Sequence, residues 1–341
     1  MNRKVVFSYG CILIAAALWG GIGISVRYIS GFGLTSIQSA CVRIFVTTLC
    51  LFLYLVCTDR TKLKIHLCDL KYYFGSGILS ILLNNVCYAV SVRVNSLSMA
   101  AILLYTSPFI VVVFAHFVFR EKMTVKKTTA LLICFIGCIF TVGLGVFVES
   151  ALTPAGLLAG LGSALGYALY NLFTKVLVRK YHTFTVTFYT FLFAFVGIIF
   201  LASPLELLGK VVTAPERVPL AVLSAALTSA LPYLLFAAGL RYAESSKASI
   251  VATVEVAASS IFGFVFYGEK LKSANIIGIL MIIAAVVTLN LPERQKSEKF
   301  IKMVLTKIND DAIIILNSSK GAKEENSWHL FCILIGMKTS K

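Results

Sequence analysis

The sequence predicts an all-α integral membrane protein with ten transmembrane helices arranged as two inverted five-helix repeats. The first observation is composition: 59% of the 341 residues are hydrophobic and 13% are charged, whereas soluble domains are about 45–50% apolar and about 25% charged. The second is an internal repeat: residues 148 positions apart match without a gap, as Glu121-Lys122 does with Glu269-Lys270. The third is that each unit holds five apolar runs long enough to cross a bilayer.

The apolar runs are expected to be helical, because a backbone exposed to lipid must satisfy its own hydrogen bonds. In the first repeat, residues 5–148, the predicted spans are 7–26, 36–56, 72–92, 98–119 and 127–147. In the second repeat, residues 153–292, they are 154–174, 185–202, 219–240, 246–267 and 273–291. We number them spans 1 to 10. Since five is odd, the second repeat enters the membrane in the opposite sense, an arrangement that builds a solute site near the midplane.

The basic residues predict the orientation of the chain in the cell membrane. The net charge is +16, but the Lys and Arg residues lie in short loops and not on one face of a polar helix, which argues against nucleic acid as a partner. With the N-terminus in the cytoplasm, fifteen Lys and Arg residues fall on the inside and six on the outside. The positive-inside rule therefore predicts that both termini are cytoplasmic.

The cysteine pattern gives no indication of a metal site. Most of the nine cysteines lie inside apolar runs without CxxC or Cys/His metal spacing, so no metal and no cofactor is predicted.

Residues 293–341 have no counterpart in the repeat, and their short apolar runs cannot cross a bilayer. They are predicted to form a partly disordered cytoplasmic tail, the alternative being a stretch that lies on the membrane surface.

Several short motifs, taken in their order and spacing, make residues 5–292 resemble the drug/metabolite transporter superfamily in its EamA-type branch. The motifs are Leu18-Trp19-Gly20, Arg43, Tyr105-Thr106-Ser107-Pro108, Arg120-Glu121-Lys122, Glu255 and Gly268-Glu269-Lys270. The resemblance implies a ten-helix carrier whose spans 1, 3, 4, 6, 8 and 9 surround a central cavity. One departure is visible, because Val256 follows Glu255 where the family often has proline.

Two ionisable residues, Arg43 and Glu255, fall well inside predicted spans. Each costs about 2.5–3.5 kcal/mol at a helix centre on insertion scales, and such residues usually face a bundle interior or a wet cavity. Arg43 is interpreted as a substrate contact, as a structural tether between helices, or as a side chain that extends toward the outer interface. Glu255, near the middle of span 9, is the candidate site for a coupling proton, with a structural tether as the alternative.

Polar and aromatic residues inside the spans are the candidate substrate contacts, with plain helix packing as the alternative for each. Two prolines, Pro108 and Pro232, are predicted to interrupt spans 4 and 8, because a proline frees a backbone carbonyl that a cavity can use. The predicted substrate-binding residues are Trp19, Asn84, Asn85, Tyr88, Tyr105, Thr106, Tyr167, Tyr170, Asn171 and Tyr233.

These observations favour a secondary transporter that moves small organic solutes, such as amino acids, related metabolites or drugs, by alternating access and in the direction of export. Its expected partners are the small-molecule substrate, the lipid bilayer and protons as a candidate coupling ion. The alternatives are a membrane-embedded enzyme and a non-transporting assembly or sensor subunit. The sequence lacks HExxH and Walker A motifs, which argues against an enzyme.

Overall fold

The computed structural model describes residues 3–143 and 153–290, and within these ranges all regular secondary structure is helical. The predicted tail at 293–341 lies outside the described residues.

Nine helical segments in the described ranges are long and apolar enough to cross a membrane, and a bent tenth joins them. Each predicted span falls on one of these segments, with ends that differ by at most five residues when span 7 is compared with its first helix, Thr183–Ile199. The bent segment is span 7, where helix Thr183–Ile199 is followed at 100° by the short helix Pro204–Val212. The other nine spans are Arg3–Ser30, Ser36–Thr58, Leu67–Val94, Leu97–Phe119, Val125–Val142, Pro154–Leu177, Pro215–Leu240, Ser245–Tyr267 and Ser273–Asn290.

Contacts between span ends identify the two ends of the bundle. At one end, the Lys4 ammonium near the start of span 1 lies 5.6 Å from the ring centre of Tyr242, just after span 8. At the other end, Arg217 at the start of span 8 donates to the carbonyl of Gly31, just after span 1, at 2.8 Å. We call the end with Lys4 the N side and the opposite end the far side.

Spans 4 and 9 end in the same way, at positions 148 residues apart. Arg120 and Gly268 both adopt the left-handed conformation, with φ of 55° and 65°. After each, a backbone N–H of the next residue donates back into the helix, from Glu121 to Ala115 and from Glu269 to Gly263. This closure suits glycine at 268, whereas Arg120 must be held there by its surroundings.

Irregular helix geometry also occurs at matching positions of the two halves. Span 3 contains a π-helical segment, Gly77–Leu82, and span 8 contains one at Ala226–Ala230. Span 4 is interrupted after Leu104, and span 9 is interrupted after Ala252. π-helical turns often accompany functional sites, and here the irregular segments surround the middle of the bundle.

Local sequence sets where the spans begin. Thr35 starts span 2 with a complete capping box, in which its hydroxyl accepts from the Gln38 N–H and the Gln38 side chain accepts from the Thr35 N–H. Thr124 caps span 5 through Lys127. Ser273 is the first residue of span 10, and there the Asn275 side chain accepts the N–H of Lys272.

Removing the cap of span 2 gives a first prediction. Thr35→Ala is expected to destabilise the protein by about 1 kcal/mol, because an N-terminal N–H loses its acceptor. The measurement is the thermal unfolding midpoint of detergent-solubilised protein. Thr129→Ala is the control: its exposed hydroxyl bonds only to carbonyls of its own helix, so this variant should unfold close to the wild type. Equal midpoints for the two variants would contradict the capping role.

Candidate functional site

A cavity of about 150 Å³ lies in the middle of the bundle, between spans from both halves. Nine of the residues singled out in the sequence line it: Trp19, Arg43, Asn84, Asn85, Tyr88, Tyr105, Tyr167, Tyr233 and Glu255. They come from spans 1, 2, 3, 4, 6, 8 and 9. Side chains far apart in sequence thus face one shared space.

The lining follows the 148-residue register. Four pairs of matching positions contribute both members to the wall, namely Trp19 with Tyr167, Arg43 with Phe191, Ile81 with Ser229, and Asn85 with Tyr233. Phe191 and Ser229 were not predicted from the sequence as lining residues, because neither is unusual inside an apolar span. The 148-residue register could have identified Phe191, which matches Arg43. The same register pairs Ser229 with Ile81.

The two charged residues of the lining have no countercharge. Within residues 3–143 and 153–290, neither Arg43 nor Glu255 forms an ion pair, and Glu255 makes no hydrogen bond. The Arg43 Nε atom is buried without a hydrogen-bond partner. Since an unpaired charge in a membrane interior is costly, a ligand with opposite charges would stabilise both groups.

Aromatic rings form one wall of the cavity around Tyr233. Its ring centre lies 5.1 Å from that of Trp19, 4.7 Å from Phe191 and 5.0 Å from Tyr170, all in edge-to-face geometry. The Trp19 Nε1 atom is buried without a hydrogen-bond partner. Such packing holds the rings rigidly and leaves a surface suited to an apolar or aromatic group.

Span 6 fixes the position of the amides on span 3. A Cβ added to Gly166 would lie 2.7 Å from the backbone nitrogen of Asn84, so only glycine permits this close approach. The Asn84 amide nitrogen then donates to the Ser163 carbonyl at 2.9 Å, and that of Asn85 donates to the Ile81 carbonyl at 2.8 Å. No hydrogen bond in the described part of the chain uses either side-chain carbonyl oxygen, which leaves two acceptors beside the cavity.

Five candidate residues do not line the cavity. The Tyr170 hydroxyl donates to the Tyr233 carbonyl, and the Asn171 amide donates to the Ser245 carbonyl. The Thr106 hydroxyl turns back to the carbonyl of Leu103. Pro108 and Pro232 are buried in the first turns of helices Ser107–Phe119 and Leu231–Leu240. None of these five residues is part of the cavity lining.

On the N side of the bundle, the carboxylate of Glu121, just after span 4, connects the loop after span 4 to the start of span 9. Glu121 accepts from the backbone N–H of Ser245 at 2.7 Å and of Ser246 at 3.0 Å, and from the Ser246 hydroxyl. It thereby caps the start of span 9, where unpaired N–H groups and the helix dipole favour a negative charge. Close by, the buried ammonium of Lys175 donates to the carbonyls of Leu240 and Ala243 at 2.7 and 2.5 Å.

An ion pair between Lys127 and Glu244 reinforces the N side. The Lys127 ammonium lies 2.5 Å from the Glu244 carboxylate and also donates to the Lys122 carbonyl at 2.9 Å. Burial raises the pKa of Glu244, but the proximity of Lys127 and Lys247 outweighs it, so the pKa lies below its ordinary value. Glu244 therefore stays ionised at neutral pH, and the loops after spans 4 and 8 are held together.

The far side is closed differently. The Arg27 guanidinium contacts the Glu269 carboxylate at 2.7 Å, with both side chains about half exposed, and lies 4.2 Å from the ring centre of Tyr267. Arg27 matches Lys175, and Glu269 matches Glu121, in the 148-residue register. Equivalent positions thus hold both ends of the bundle, but the N-side contacts are more buried. Exposed ion pairs contribute little, about 0–1 kcal/mol.

The apolar spans define a multi-pass membrane protein, and the central cavity lies between its two halves. The family model described as the EamA-like transporter family matches residues 6–143 and again residues 154–291. The chain belongs to the EamA-like transporter family, which confirms the resemblance drawn from the sequence. The protein is therefore a membrane transporter by family, and its two halves each carry one copy of the family's unit.

Curated relatives and a solved structure agree with this assignment. An uncharacterized transporter of Archaeoglobus fulgidus is 25% identical over 83% of this chain and 96% of its own length. The uncharacterized transporter YxxF of Bacillus subtilis is 26% identical over 83% of this chain and 89% of its own. One crystal structure shares the fold with a TM-score of 0.67 at 12% identity, covering 83% of this chain and 96% of that chain.

Proposed function

We propose that the protein is a secondary carrier that exports small organic solutes across the cytoplasmic membrane by alternating access. Amino acids or related metabolites are the first substrate class, and amphipathic drugs are the second. The observation that carries the proposal is the central cavity, in which Arg43 and Glu255 lack countercharges, between two ends closed by separate contacts.

The chemistry of the lining favours a zwitterion with an apolar group. Arg43 would pair with a carboxylate and Glu255 with an ammonium group, each gaining the partner that it lacks. The rings of Trp19, Tyr167 and Tyr233 would contact the apolar part of the solute. A proton on Glu255 is the candidate coupling ion, because substrate and proton would then compete for one carboxylate.

The unequal closures support alternating access. Opening the N side requires Glu121 and Lys175 to leave buried backbone partners. Opening the far side breaks exposed contacts, such as the pair of Arg27 and Glu269 and the hydrogen bond from Arg217 to the Gly31 carbonyl. In the proposed cycle, the repeat-related contacts break and form in turn as one half rocks against the other.

The proposed inversion of the repeats makes a topology prediction. Lys126 lies just after span 4, in the first turn of span 5, and Lys270 lies just after span 9. With both termini cytoplasmic, a cysteine at Lys126 should react with a membrane-impermeant maleimide only after cells are opened. A cysteine at Lys270 should react in intact cells. The parent protein for these variants carries serine in place of the exposed Cys57 and Cys68 and of Cys332 in the predicted tail.

Labelling of both positions from the same side would contradict the inversion and remove the structural basis of alternating access. Two double variants serve as controls, each combining one cysteine with Glu255→Gln, which should leave the labelling pattern unchanged.

Transport itself is tested by counterflow in liposomes. Vesicles with purified protein are loaded with one unlabelled amino acid, and uptake of the labelled compound is followed. The proposal predicts transient accumulation that is lost in Arg43→Gln vesicles. Chemical turnover of the solute without translocation would instead support a membrane-embedded enzyme. If no amino acid and no amphipathic cation is either transported or chemically converted, the result would support a non-transporting subunit.

A further inference from the structure

A second and larger cavity, of about 350 Å³, lies near the far side and apart from the central site. We call it the lateral cavity. It is lined by the far end of span 1, one face of span 2, the bend of span 7 with helix Pro204–Val212, and the start of span 8. Its sixteen lining residues are aliphatic or aromatic except for proline and the thiol of Cys41. Such a lining offers no partner to a polar solute.

The lateral cavity has a buried floor and an exposed mouth. Val46 and Ala221 on the floor are each 5% exposed, whereas Phe45 and Leu208 at the mouth are 44% and 61% exposed. The cavity therefore reaches the protein surface at Phe45 and Leu208.

The mouth continues into an apolar surface of span 2. Phe45, Leu49 and Phe52 are spaced by four and three residues, so they lie on one helix face, and all three are more than 40% exposed. In a membrane-spanning helix, an exposed apolar face of this kind is in contact with lipid. The lateral cavity is thus continuous with the lipid-facing surface of the protein.

The bilayer decides what fills such a space. A dry apolar cavity forfeits dispersion contacts along its walls, and water would find no hydrogen-bond partners there. The medium at its mouth is hydrocarbon, which can enter without losing hydrogen bonds. We propose that the lateral cavity binds one acyl chain of a phospholipid from the leaflet on the far side.

The rim of the cavity indicates how the lipid is selected. Lys210 pairs with Glu206 at 2.6 Å, and Arg217 donates to the Gly31 carbonyl at 2.8 Å with Glu216 beside it. The two acidic and two basic side chains of the rim give no net charge, and Lys210 and Arg217 already have partners within the protein. The site therefore recognises the acyl chain, and anionic and zwitterionic headgroups are expected to bind equally well.

Photolabelling tests the proposal without relying on transport. Purified protein in nanodiscs receives a phosphatidylcholine with a diazirine at the end of one acyl chain, and adducts are mapped by mass spectrometry after irradiation. Adducts at Val46, Ala221 or Leu207 should exceed those at Leu132 and Ile133 by at least fivefold. These two residues on span 5 are similarly apolar and are exposed, so they report ordinary contact with bulk lipid.

Filling the cavity provides the matched variant. Ala221→Phe should reduce labelling of the floor to the level at Leu132, whereas Leu132→Phe should leave it unchanged. Should Ala221→Phe not fold, Val222→Trp at the half-open mouth gives the same test. Equal labelling of the floor and of span 5, or undiminished labelling in the filled variant, would overturn the proposal. Phosphatidylglycerol carrying the same chain should label equally, and a strong preference for it would overturn selection by the chain.

Discussion

Glu255→Gln is expected to yield a protein whose transport rate no longer varies with pH and is at least tenfold lower than that of the wild type. Glu255 is the one acidic group in the lining of the central cavity among the residues that the structure describes. Glutamine keeps the size of the side chain but can neither take up a proton nor pair with an ammonium group. The measurement is counterflow and proton-driven transport in liposomes over a series of pH values.

The fold should tolerate this change. Glu255 has no hydrogen bond or ion pair to lose within the described ranges, and replacing an unpaired charge in the membrane by a neutral amide lowers its burial cost. The unfolding midpoint should stay equal or rise. Glu216→Gln, at an exposed position on the far side, is the control and should keep the wild-type pH profile. An unchanged profile in Glu255→Gln would exclude the coupling role.

Glu121→Gln should loosen the N side and destabilise the protein by about 1.5–3 kcal/mol, the contribution typical of hydrogen bonds to a charged group. The variant loses the negative charge at the start of span 9 and one of the two acceptor oxygens that hold Ser245 and Ser246. A cysteine placed at Thr174, which is fully buried on this side, should become reactive to maleimide in the Glu121→Gln protein.

The repeat provides the control for this variant. Glu269→Gln changes the same residue type at the matching position. However, the Glu269 side chain is half exposed, and its only partner among the described residues is Arg27. Glu269→Gln should lower the free energy of unfolding by no more than about 1 kcal/mol. A cysteine at position 174 should remain unreactive to maleimide in the Glu269→Gln protein. Equal effects of the two changes, or no gain in reactivity with Glu121→Gln, would contradict the unequal closure of the two ends.

The sequence was sufficient for the fold class and the register because the physical constraints on both are local. A bilayer requires about 20 apolar residues in a helix, so runs of this kind could be located without knowledge of their packing. The register of 148 residues placed Trp19 opposite Tyr167 and Asn85 opposite Tyr233, and the structure brings each pair to one cavity.

The sequence did not predict which face of each helix points to the cavity. Tyr167, Tyr170 and Asn171 lie within little more than one turn of span 6, yet only Tyr167 lines the cavity. In a helix that is apolar on nearly every side, hydrophobic periodicity does not mark the inward face. Helix rotation is set instead by contacts such as Gly166 against the backbone of Asn84.

The amino-acid sequence by itself determined that this chain crosses the membrane about ten times in two related halves, because hydrocarbon imposes that pattern on each segment separately. Only the tertiary structure decided which polar groups share a cavity, how Glu121 closes one end, and where span 7 bends to leave a lateral cavity. These features depend on the rotation and close approach of helices distant in sequence, and packing between whole helices fixes both.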